Sequence, residues 1–157
     1  MKKRIVFLVL VLWIVTLAVP AGAGDPAYDL DWAIMKGQLE EVKKIVGEHP
    51  ELADAPFAHR PNWRPLQWAA VSSKNVDIVE YLLSAGATVD ARNNDGETAL
   101  AILATDLDAS TDVARALIRH GADVNTRDKD GLTPLRNATT VGKAELIQLL
   151  RDSGATE

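Results

Sequence analysis

The strongest constraint on the fold is a sequence pattern that recurs about every 34 residues. One marker, SAGATVD at residues 84–90, returns as RHGADVN at 119–125 and, shortened, as DSGAT at 152–156. A second marker keeps the same phase and occurs three times, at Arg60–Leu66, Asn94–Leu100 and Lys129–Leu135. Two markers in fixed phase indicate stacked copies of one unit, which buries its apolar face only against its neighbours.

Each unit predicts two helices joined by turns. Thr98 and Thr133 stand where a side chain can cap the first helix, and Pro134 suits the first helical position. The second helix carries an apolar stripe, such as the one within Val76–Leu83, and Gly86 ends it because glycine readily adopts positive φ. The sequence therefore predicts an all-α solenoid of helix-turn-helix units.

These units resemble ankyrin repeats, whose signature is Gly-x-Thr-Pro-Leu-His-x-Ala followed by a helix ending in Leu-Leu-x-x-Gly-Ala. The resemblance covers roughly residues 27–157 and implies an ankyrin solenoid of about four repeats with short finger turns. The implied repeats are approximately residues 27–54, 55–90, 91–125 and 126–157. The signature His is replaced by Gln67, Ala101 and Arg136, so we expect fingers that are less rigid than is usual in the family.

Residues 1–23 are predicted to be a secretory signal peptide. Met1–Arg4 is basic, Ile5–Val19 is apolar apart from Thr16, and Ala21–Ala23 supplies small residues for cleavage. The apolar run has 15 residues, fewer than the roughly 20 that span a bilayer as a helix. We expect a mature domain of residues 24–157 in the periplasm or secreted, and a bacterial source. The alternative is an uncleaved helix that tethers a scaffold to the membrane.

The net negative charge of the chain limits the kinds of partner that it can bind. The chain has a net charge of -5, and without the three cations of residues 2–4 the count is 14 basic against 22 acidic residues, or -8. An acidic body disfavours nucleic acid, which requires clustered positive charge, and disfavours anionic membrane surfaces. The chain has no cysteine, which excludes disulfides and thiolate chemistry.

Candidate metal and catalytic sites are few. Asp106, Asp108 and Asp112 form an acidic loop, but the Gly and Glu of a calcium-binding loop are missing, and caps of a helix starting near Thr111 explain it better. Asp128-Lys129-Asp130-Gly131 is predicted to be a finger turn with local hydrogen bonds. We predict no metal, no cofactor and no enzyme. An enzyme using the acidic loop and His59 is the rival reading.

The resemblance implies a protein partner bound on a concave face that is built from finger tips and first helices. Small exported ankyrin proteins suggest either an accessory subunit of an envelope enzyme or an inhibitor or immunity protein for an effector. The implied binding residues are Met35, Lys36, Arg60, Trp63, Val71, Ser72, Asn94, Asp95, Glu97, Thr105, Lys129, Leu132, Thr140 and Val141.

The second finger is predicted to hold the main anchor, because Phe57–Arg64 gathers aromatic and cationic residues. The family pattern places Trp63 at an exposed finger position, and the alternative is that Trp63 folds back onto Phe57. Trp32 and Trp68 occupy one repeat position and are both expected in the core between repeats.

Overall fold

A computed structural model describes residues 24–60, 62–72, 75–108 and 110–156, so the predicted signal peptide of residues 1–23 lies outside the described part. The described residues form eight α-helices in four pairs and no strand. The helices are α1 (Pro26–Met35), α2 (Leu39–Glu48), α3 (Pro65–Ser72), α4 (Val76–Ser84), α5 (Ala99–Thr105), α6 (Thr111–Arg119), α7 (Pro134–Val141) and α8 (Ala144–Asp152). The predicted all-α solenoid is confirmed.

The helices pack in two rows. The first helices of successive units lie in the order α1, α3, α5, α7, and the second helices in the order α2, α4, α6, α8. The core repeats with the sequence, because the same position of each unit supplies a buried leucine: Leu30, Leu66, Leu100 and Leu135. None of the described helices is long and apolar enough to cross a bilayer.

The predicted caps are confirmed at three helices. The hydroxyl of Thr98 accepts from the amide of Ala101, and that of Thr133 accepts from Arg136, where each helix begins. Ser110 caps α6 through the amide of Val113, which accounts for the acidic loop as a helix start.

The finger turns share one backbone conformation. Gly96 and Gly131 have φ of 78° and 76°, and Asn62, at the same repeat position, has φ of 55°. Asparagine is among the few non-glycine residues that tolerate this region. The Asn62 side chain also donates to Asn94 Oδ1 at 2.8 Å, so it ties the second finger to the third.

Gln67 supplies hydrogen bonds at the position of the signature His, and the expectation of less rigid fingers stays a prediction. The Gln67 side chain is buried, accepts from the amide of Arg64 at 2.8 Å, and donates to the carbonyls of Ala91 and Glu97 at 2.9 and 3.0 Å. The first bond caps α3, and the other two hold the third finger. An amide at the position of the signature His therefore still bridges the units in this part of the chain.

Trp32 corrects one expectation. Its side chain is 45% exposed, whereas Trp68, at the same repeat position, is partly buried and packs against the core. Trp68 Nε1 lies 3.4 Å from the Asp31 carbonyl, so Trp68 faces α1. The described residues place no helix on the corresponding side of α1, and Trp32 is left on the surface.

Candidate binding surface

A buried carboxylate joins the first helix to the second finger. The Asp31 side chain is 8% exposed, and its Oδ2 lies 2.7 Å from His59 Nε2 and 3.0 Å from Arg60 Nε. Its Oδ1 is buried and has no hydrogen-bond partner among the described residues. Because His59 and Arg60 both meet one oxygen, the other oxygen has no donor in the described part of the chain, and a buried acceptor without a donor is costly in a protein interior.

Arg60 is held on two sides. Its Nε donates to Asp31, and its guanidinium carbon lies 3.8 Å from the centre of the Trp68 ring. Its terminal nitrogens have no hydrogen-bond partner among the described residues. A guanidinium fixed in this way presents those nitrogens in a geometry that matches a carboxylate.

A hollow of about 120 Å³ opens beside this arginine, lined by Tyr28, Asp31, Trp32, Met35 and Arg60. Trp32 and Met35 are among the few large apolar side chains exposed on the described surface. Lys36 Nζ lies 4.7 Å from the centre of the Trp32 ring and adds a second positive charge at the rim. We call these lining residues together with Lys36 the α1 hollow.

The His59–Asp31 pair has the geometry of an acid that orients an imidazole. The other described contacts of the His59 ring are with Tyr28 and Phe57, at centroid distances of 5.2 and 5.4 Å. In the described part of the chain, no serine or threonine hydroxyl bonds to this ring. The pair therefore positions the finger against α1.

The acidic loops use their carboxylates locally. Asp106 Oδ1 accepts from the amide of Asp108, and Asp128 Oδ1 accepts from the amides of Asp130 and Leu132. The predicted local bonding of the fourth finger is confirmed. Among residues 24–60, 62–72, 75–108 and 110–156, no three His, Asp or Glu side chains are grouped to hold a metal ion.

A second carboxylate lies on the row of second helices, which we call the outer row, and is held by a histidine and an arginine. On α4, Glu80 Oε1 accepts a hydrogen bond from an Arg119 nitrogen. Its other oxygen, Oε2, lies 2.6 Å from His120 Nε2. The hydrogen bond from His120, aided by the charge of Arg119, holds the pKa of the Glu80 carboxyl below its usual value of 4.5. The Glu80 side chain is 33% exposed, so water also reaches it.

The structure brings some of the predicted binding residues together and separates others. Met35, Lys36 and Arg60 meet at the α1 hollow. Trp63 is half-buried, and its ring packs edge-on against Trp68 at 6.1 Å rather than on the Phe57 ring. Its carbonyl accepts from the amide of Phe57 at 2.8 Å.

The other predicted residues are spread along the third and fourth fingers and the ends of α3, α5 and α7. Several serve the fold: the Asp95 carbonyl accepts from the amide of Lys129, and Glu97 accepts from the Asn93 side chain. The hydroxyls of Ser72, Thr105 and Thr140 donate to carbonyls within their own helices. Asn94, Lys129 and Leu132 are exposed, and Val71 and Val141 are half-buried.

Sequence reasoning missed Asp31, Tyr28 and the exposure of Trp32. One signal for Asp31 was available. Asp31 follows Leu30 as Gln67 follows Leu66, so it occupies the position of the signature His in the first unit. Both side chains reach into the next finger, which makes this position a bridge between units.

Comparison with known families gives one result for this architecture. A family model described as ankyrin repeats, in three copies, matches residues 30–128 and 93–156. No curated protein matches the chain.

Proposed function

The chain belongs to the ankyrin-repeat family, whose domains are protein-interaction modules, and on that premise we propose that it is an exported, non-catalytic binding protein whose anchor is the α1 hollow. The observation that carries the proposal is the combination of exposed Trp32 and Met35 with an arginine fixed by Asp31 and Trp68. Aromatic and arginine side chains dominate the binding energy of protein interfaces.

The fixed position of Arg60 favours binding. A free arginine loses considerable side-chain entropy when a partner immobilises it. Arg60 has already lost much of that freedom, because its Nε and its ring-facing surface are engaged. The terminal nitrogens can then bind a partner carboxylate at a lower ordering cost.

Trp63 contributes at the edge of this anchor. Its half-buried ring supports Trp68, which in turn supports Arg60. We therefore assign the main contact to Trp32 and Arg60 and a flanking contact to Trp63. The remaining predicted residues of the third and fourth fingers extend the same interface along the solenoid.

The test is capture of the partner from the envelope fraction of the source organism. We expect Trp32→Ala and Arg60→Ala each to weaken binding by about 2 kcal/mol or more. Trp63→Ala also weakens binding and, because it removes support from Trp68, lowers the melting temperature. Gln148→Ala, on the exposed surface of α8, is the matched control and changes affinity by less than about 0.5 kcal/mol. Equal affinity of the wild type, Trp32→Ala and Arg60→Ala would place the anchor elsewhere.

Export is tested separately. We propose that residues 1–23 are removed and that the protein works in the periplasm or outside the cell, as an accessory subunit of an envelope enzyme or an inhibitor of an effector. Mass spectrometry of the exported protein should then give an N-terminus at Gly24. Intact Met1 in the membrane fraction would instead support a tethered scaffold.

A further inference from the structure

The loop between α5 and α6 exposes an apolar side chain between two acidic residues. Leu107 is 73% exposed, far more than any other large apolar side chain of the described chain. Asp106 and Asp108 flank it, and the amide of Asp108 donates to Asp106 Oδ1 at 2.9 Å. This bond closes a local turn with Leu107 at its tip. The packing of the unit does not account for a leucine in this place.

The α1 hollow has the opposite character in both charge and shape. Tyr28, Trp32 and Met35 form apolar walls around a concave space, whereas Leu107 is a convex apolar tip. Lys36 and Arg60 are positive at the hollow, and the residues beside Leu107 are negative. The single negative charge of the hollow, Asp31, is already faced by His59 and Arg60.

We propose that the Asp106–Asp108 loop of one copy docks in the α1 hollow of a second copy. Leu107 fills the apolar space, and the terminal nitrogens of Arg60 bind the carboxylate of Asp106. The contact is between molecules, because α3 lies between α1 and α5 in the row of first helices. It rests on the anchor surface assigned under the proposed function, and a self-docked hollow is closed to any other partner.

The two surfaces of such a contact are different, so each associated copy keeps one free hollow or one free loop. Contacts of this kind are heterologous and form open chains unless the rotation closes a ring. One loop in one hollow is a small interface, and small interfaces are weak and transient. We therefore expect association that grows with concentration, in the range of about 0.1–1 mM protein.

The experiment is sedimentation velocity of the full chain, purified as the cell processes it, over that concentration range. The wild type should show a mean mass that rises steadily with concentration. Leu107→Ser removes the tip, and Met35→Glu places a negative charge in the hollow. Each variant alone should remain monomeric. Gln148→Ser changes an exposed side chain of α8, outside both the loop and the hollow, and should associate as the wild type does.

Mixing the two defective variants gives the decisive result. Leu107→Ser keeps an intact hollow and Met35→Glu keeps an intact loop, so a mixture should form one-to-one pairs and nothing larger. A wild type that stays monomeric throughout, or association that either variant leaves unchanged, overturns the proposal. Loss of an envelope partner with Trp32→Ala in a protein that never self-associates would leave the proposed function standing and remove only self-docking.

Discussion

Two carboxylates in this molecule are each held by one histidine and one arginine, and their geometries differ. Glu80, on the outer row, receives Arg119 and His120 on separate oxygens and remains 33% exposed. Asp31, beneath the second finger, receives both partners on one oxygen, and its other oxygen is buried without a donor among the described residues. Both oxygens of Glu80 have a hydrogen-bond partner, and the group joins α4 to the next unit. Asp31 instead fixes Arg60 beside the α1 hollow, although one of its own oxygens lacks a donor in the described chain.

The largest expected loss of unfolding free energy comes from a change in the apolar core, and it gives the scale against which changes at the two carboxylates are compared. Leu117 lies on the helix that carries Arg119 and is fully buried. Leu117→Ala should lower the free energy of unfolding by about 2–5 kcal/mol, measured by urea denaturation, because a cavity is left. Asp106→Ala, in the α5–α6 loop, should change it by less than about 0.5 kcal/mol. Equal losses would indicate a structural role for the loop.

The next effect separates the two carboxylates. Asp31→Ala leaves His59 and Arg60 without their shared acceptor and should cost about 1–3 kcal/mol of unfolding free energy. Asp29→Ala, an exposed aspartate on the same helix, is the control and should cost about 0.5 kcal/mol or less. If both variants unfold at the same urea concentration, the buried group does not stabilise the junction between the first helix and the second finger.

The same substitution at the two arginines, Arg60→Lys and Arg119→Lys, compares how much each arginine contributes to the free energy of unfolding. Arg60→Lys loses the Nε bond to Asp31 and the planar stacking on Trp68, so we expect a cost of about 0.5–2 kcal/mol. Arg119→Lys keeps a charge beside an accessible carboxylate and should cost under about 0.5 kcal/mol. Thermal and urea unfolding of the two variants measure both values. The reverse order would contradict the assignment of Arg60 as the fixed side chain.

The smallest effect is a pH dependence due to Glu80. The folded-state pKa of Glu80 lies below its usual value of 4.5, so its contribution is present above that value and is lost as the pH falls through the folded pKa. The contribution should stay below about 1 kcal/mol because water screens the carboxylate. Urea unfolding of wild type and Glu80→Gln should therefore differ at pH 6 and converge under acidic conditions. A difference that persists in acid would require another cause.

Periodicity made much of the fold predictable. Thr98, Thr133 and Gly131 stand at positions where the same turn and the same cap recur, so each copy supports the assignment of the others. Local rules of capping and backbone conformation decide these features. The four helix pairs and their order follow from the same pattern.

The binding surface was less accessible to this reasoning. Asp31 meets His59 and Arg60 only because α1 and an irregular finger pack together, and no second copy of that arrangement exists to reveal it in the described chain. The exposure of Trp32 depends on what lies beyond α1, which its repeat position does not encode. Arg60 and Met35 were predicted from the family pattern, but their shared hollow required the packed structure.

Because each unit packs only on its neighbours, resistance to proteolysis should differ along the chain. In an array coupled only through adjacent units, the end units open at a lower free energy than the inner ones. The α1 hollow belongs to the first unit at the N-terminal end of the described solenoid, where α1 packs on α2 and α3. A molecule bound there adds its binding free energy to the segment that proteases would otherwise reach first. Occupancy of one small surface would thus slow digestion of the N-terminal helices while leaving the C-terminal ones nearly as vulnerable as before.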